Sequence, residues 1–131
     1  MTENPYAQNV DQFIVEQIDT VPHLEALLLG WSRRPKVWSV EDMAAALYIP
    51  NALAGRILQD LVQKGLLEEV AESSKQYRYH SETEQDNLIA ELDATYRREL
   101  IRVSRMIHSK APFSIRDFAR AFRFTKEKDK E

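Results

Sequence analysis

The chain has 131 residues, 3 glycines, 5 prolines and no cysteine, so it fits one helix-rich globular unit and excludes a disulfide framework, thiolate catalysis and Cys-ligated zinc. Its formal net charge is −3, but residues 1–96 hold 7 Lys+Arg against 16 Asp+Glu, whereas residues 97–131 hold 11 against 5. A net of −9 followed by +6 points either to a polyanion- or partner-binding arm or to mutual attraction of the two ends, within one molecule or across a dimer.

Met1–Asn9 reads as a polar leader without the basic start and apolar core of a secretion signal, and cytoplasmic residence is expected. Val10, Phe13, Ile14 and Ile18 repeat at helical spacing. Asp19-Thr20 supplies a break and a cap, and Pro22 falls in the first turn of the next helix, where its missing N–H is harmless. Val21, Leu24, Leu27, Leu28 and Trp31 make that helix the most apolar of the chain, hence the floor of the core. Pro35 ends it, and Val37-Trp38 is a brief extended piece.

Ser39 caps a short helix with Asp42 at its third position, close to a capping box, and Met43 and Leu47 share one face. Tyr48-Ile49-Pro50-Asn51 breaks it, since a proline biases the preceding residue away from helix. A second helix carries Ala54, Ile57, Leu58 and Leu61 on one side and Arg56, Gln59, Asp60 and Gln63 mostly on the other. Gly65 terminates it. Leu66–Val70 and Gln76–His80 then read as a hairpin joined by Glu72-Ser73-Ser74-Lys75.

From Ser81 to about Ser109 nothing in the sequence breaks a helix, and such a rod is on the order of 40 Å long. Ile89, Leu92, Tyr96, Leu100, Val103 and Ile107 form one stripe along it, too long for a small domain to cover. Its acidic half (Glu82, Glu84, Asp86, Glu91, Asp93) and basic half (Arg97, Arg98, Arg102, Arg105, Lys110) are complementary when a partner helix runs antiparallel. Pro112 stops the rod, and Ser114 caps a last helix with Ile115, Phe118, Ala119 and Phe122 on one face. Thr125–Glu131 is a charged tail. The longest apolar run, around Ala26–Leu29, is far too short to span a bilayer.

Leu47-Tyr48-Ile49-Pro50, Arg56-Ile57-Leu58, Leu61 and Lys64-Gly65-Leu66-Leu67 follow a helix, turn, helix, hairpin order. The stretch resembles the winged helix-turn-helix domains of bacterial transcription regulators. With its terminal helices, the chain is similar to the multiple-antibiotic-resistance regulator (MarR) type, although the wing tip Glu72-Ser73-Ser74-Lys75 lacks that family's Asp-x-Arg motif. The resemblance implies a mainly α fold with a β-hairpin wing over residues 1–81, and a helical arm over 82–131 that forms a homodimer. Double-stranded DNA is the implied partner. Asn51, Ala52, Arg56 and Gln59 fall at the base-reading positions, and Lys64, Lys75 and Arg78 at phosphate contacts. The stripe residues, with Phe118 and Phe122, are the implied dimer seam.

The competing reading is a protein-interaction adaptor on the same fold, meeting its partner through the Phe-rich terminus (Phe113, Phe118, Phe122, Phe124) or through a recognition helix blunted by Ala52, Leu53 and Gly55. Catalysis has little footing. His23, His80 and His108 show no metal-ligand spacing, and the chain has neither a glycine-rich phosphate loop nor a G-x-S-x-G elbow. No cofactor, metal site or enzymatic activity is expected.

Overall fold

The computed structural model describes residues 7–71 and 75–111. Within them the chain is mainly helical, with one small antiparallel sheet: α1 (Ala7–Gln17), α2 (Val21–Ser32), β1 (Trp38–Ser39), α3 (Val40–Leu47), α4 (Asn51–Gln63), β2 (Leu67–Ala71), β3 (Gln76–Tyr79), α5 (Thr83–Arg98) and α6 (Leu100–Ala111). The final helix expected around Phe118 and Phe122, and the tip residues 72–74, lie outside the described residues.

Local chemistry sets most boundaries. The Thr20 side chain accepts the His23 backbone N–H at the start of α2, with Pro22 in the first turn. The capping box before α3 is complete: the Asp42 N–H donates to Ser39 Oγ at 3.0 Å, and the Ser39 N–H donates to the Asp42 carboxylate at 3.4 Å. Tyr48 closes α3 in the left-handed region (φ 59°), and Pro50 opens α4 from an extended conformation. Gly65 takes φ 76° after α4, a conformation that glycine adopts without penalty.

The sheet order is β1-β3-β2, with Trp38 opposite Tyr77 and Leu67 opposite Tyr79. A bulge between Glu69 and Ala71 interrupts the β2–β3 ladder near its turn. Along β3, Tyr77 and Tyr79 point into the core while Gln76 and Arg78 face out, as the two-residue period of a strand requires. Gly30 lets α2 approach the sheet, since a Cβ there would stand 3.2 Å from Leu67 Cδ2.

One apolar cluster runs from Val10 on α1 through Leu24, Leu27, Met43, Ile57, Leu61, Tyr77 and Ile89 to Val103 and Ile107 on α6. The expected division at residues 81/82 therefore does not separate two cores, because α1 packs against both α5 and α6.

The single long rod is also corrected. Glu99 leaves the helical region (φ −130°, ψ 51°) and divides it into α5 and α6 without any Gly or Pro. The gain is burial: Val103 and Ile107 become fully inaccessible against α1 and α5. Burying two such side chains stabilises by about 1.5–3 kcal/mol each. A broken helix turn costs about 1 kcal/mol per hydrogen bond. Packing wins, and the Glu99 and Val103 N–H groups still reach the Thr95 and Glu99 carbonyls at 2.7 and 3.0 Å.

Candidate nucleic-acid interface

The amphipathic division of α4 follows its sequence. Ala54, Ile57, Leu58 and Leu61 are buried against α2, α3 and β2, while Asn51, Ala52, Arg56 and Gln59 are exposed. Arg56 has no ion-pair or hydrogen-bond partner among the described residues, so its guanidinium faces solvent. Asn51, Ala52 and Arg56 thus share one open surface at the front of the helix.

The remaining expected contacts divide. Gln59 is exposed, but its amide donates to the Tyr77 hydroxyl at 2.7 Å, which ties it to the sheet. Lys64 is turned inward on the chain: its ammonium donates to the Gln17 carbonyl at 2.7 Å and to Asp19 at 3.1 Å. The charge thus has two partners within the chain, and its side chain is only 24% exposed. Arg78 projects outward from β3 and pairs with Glu68 on β2. Lys75 is exposed in the β2–β3 turn with φ 53°.

Glu68 is shared. It takes the Arg78 guanidinium on one oxygen and His80 Nδ1 on the other at 3.0 Å. The hydrogen bond from His80, followed by that from Arg78, holds the Glu68 carboxyl below its usual range. Glu68 in turn raises His80, reinforced by the nearby Glu82 carboxylate at 3.6 Å. Of the cations flanking the sheet, Arg34 stacks over the Trp31 and Tyr79 rings and Lys36 over the Trp38 ring.

The expected dimer seam is largely internal, which corrects the assignment of four of its residues. Ile89, Leu92, Val103 and Ile107 are fully buried by this chain alone. Tyr96 is half-buried, and its hydroxyl donates to Glu25 at 3.2 Å; burial beside that carboxylate pushes it up to about 12. Leu100 is 49% exposed and its neighbour Ile101 63% exposed. Within the chain, Arg97 pairs with Asp93, Arg98 with Glu91, and Arg102 with Asp11 and Glu99. Phe118 and Phe122 lie outside the described residues.

Sequence spacing missed one cluster at the far end of α4. His23 is 6% exposed, with Nδ1 2.6 Å from Thr20 Oγ1 and Nε2 2.9 Å from Asp60 Oδ2. Asp19 completes the group, its carboxylate within 4.8 Å of the His23 and Asp60 donor atoms. These residues come from the α1–α2 link, α2 and α4, so only the fold brings them together. Among the described residues no helix is long and apolar enough to cross a membrane. No protein-family model, curated protein or solved structure matches the chain.

Proposed function

We propose that the chain is a winged helix-turn-helix protein of the MarR-like kind that binds duplex DNA as a homodimer to regulate transcription. In this reading α3 and α4 are the helix pair, β2 and β3 the wing, and α4 enters the major groove. The observation that carries it is the open front of α4, where Arg56 stands unpaired beside Asn51 and Ala52. A free guanidinium forks onto guanine O6 and N7, and the Asn51 amide suits an adjacent adenine. Lys75 and, when released from Glu68, Arg78 supply phosphate contacts from the hairpin. The dimer draws on the exposed Leu100–Ile101 pair where α5 meets α6.

Anisotropy of a labelled random duplex tests this directly. Affinity should fall steeply between about 50 and 200 mM salt, and Arg56→Ala should weaken binding to guanine-containing duplexes by about 1–3 kcal/mol and relax the preference for them. Absence of binding at low salt overturns the reading. Light scattering should give a mass near twice 15.3 kDa.

A second reading, a protein-interaction adaptor, is favoured by one feature. Tyr48 is 94% exposed at the lip of a groove of about 480 Å³ lined by Leu28, Leu29, Leu47 and Tyr96. An unburied aromatic beside an apolar groove is the usual anchor of a protein contact.

A further inference from the structure

We infer that Asp19, His23 and Asp60 form a divalent transition-metal site, with zinc the ion it suits best, at the junction of the α1–α2 link, α2 and α4. This inference is independent of the nucleic-acid reading.

The donor set is one imidazole nitrogen and two carboxylates, all within 4.8 Å of one another. Zinc holds such ligands at about 2.0–2.2 Å in a tetrahedron, which places the donor atoms about 3.3 Å apart. His23 Nε2 and Asp60 Oδ2 stand at 2.9 Å, so admitting an ion opens the pair by only a few tenths of an ångström. The Asp19 carboxylate is 53% exposed on a link rather than inside a helix, which leaves it free to swing in and leaves a fourth position to water. An imidazole in the set favours zinc over magnesium or calcium, which prefer all-oxygen shells.

Thr20 prepares the histidine. His23 Nε2 faces Asp60 at 2.9 Å, and Nδ1 faces the Thr20 hydroxyl at 2.6 Å. For Nε2 to ligate an ion, Nδ1 carries the ring proton. Thr20 then turns its hydroxyl to accept that proton, since an OH is both donor and acceptor. The bond at Nδ1 holds the ring in its orientation. Such a partner at the second nitrogen is what a ligating histidine requires. The competitor already in place is the Lys64 ammonium, 3.1 Å from Asp19. Its pairing with a half-exposed carboxylate is weak competition for a divalent ion bound by three groups.

The test is calorimetric titration of Zn²⁺ into the full-length chain, with Mg²⁺ as the control ion. One Zn²⁺ per chain is expected, with no comparable Mg²⁺ heat. His23→Gln and Asp60→Asn should each weaken binding at least about tenfold, and Lys64→Met should tighten it. His80→Gln and His108→Gln should leave it unchanged. Should His23→Gln fail to fold, Asp19→Asn at its exposed position decides: weakened binding supports the site, and unchanged binding overturns it. Absence of Zn²⁺ binding, or binding lost in His80→Gln and retained in His23→Gln, also overturns it.

Discussion

Gln59 on the outer side of α4 donates its amide to the hydroxyl of Tyr77 on the central strand, at 2.7 Å across 18 residues of chain. A side chain expected to read bases is thus a brace between helix and sheet. Gln59→Ala and Tyr77→Phe should each cost about 1 kcal/mol in denaturant unfolding, and the double variant should cost less than their sum. Additive losses would show that the two groups do not interact.

Ile107 is inaccessible within a single chain. Ile107→Ala should therefore lower stability by about 2–5 kcal/mol, and the loss should not depend on protein concentration. A loss that vanishes on dilution would instead place Ile107 in an intermolecular seam.

The Glu68–His80 pair ties stability to pH in two opposite senses. The folded-state pKa of Glu68 is lowered from 4.5, so its contribution is present above that value and is lost as pH falls through the depressed one. That of His80 is raised from 6.5, so its contribution is whole below 6.5 and is lost as pH rises through the raised one. Both are present together between 4.5 and 6.5. Melting temperatures should decline from about pH 6 to pH 8, the range in which histidine titrates. The decline should flatten in His80→Gln.

Tyr48 adopts φ 59° while 94% exposed, so its ring contributes almost no burial to offset a left-handed backbone. Tyr48→Asn should stabilise the chain by about 1 kcal/mol, read as a rise in melting temperature. Loss of a partner in a pull-down by the same variant would favour the adaptor reading.

Lys64 and Arg56 lie two turns apart on α4 and in the region just past it, with opposite expected behaviour. Lys64→Met should cost about 1 kcal/mol of stability through the lost bond to the Gln17 carbonyl, yet leave the salt slope of DNA binding unchanged. Arg56→Ala should weaken DNA binding by about 1–3 kcal/mol and leave the melting temperature in place. Reversal of the two patterns would exchange their roles.

These contrasts mark how much of the molecule can be read along its length. The Ser39–Asp42 capping box, the turn at Pro50, the stop at Gly65 and the alternation of Tyr77 and Tyr79 are all local, set by residues within four positions of one another, and each is present in the fold. The interruption at Glu99 carries no such signature. It arises because α1, some 90 residues earlier, offers Val103 and Ile107 a surface to pack on. Cations posed the same difficulty at the candidate interface. A count of Lys and Arg registers Lys64 and Arg78 as available, whereas Asp19 and Glu68 engage them from 45 and 10 residues away. Arg56 could be placed from its helix period alone, but its lack of a partner could not.

The attachment of α4 has a mechanical corollary. Asp60 and Lys64 fasten its rear to His23 on α2, to the Gln17 carbonyl at the end of α1 and to Asp19 in the link between them, whereas Asn51, Ala52 and Arg56 are exposed on its front. Along its length Ala54, Ile57, Leu58 and Leu61 seat it against α2, α3 and β2, so the exposed side is carried by a helix held throughout.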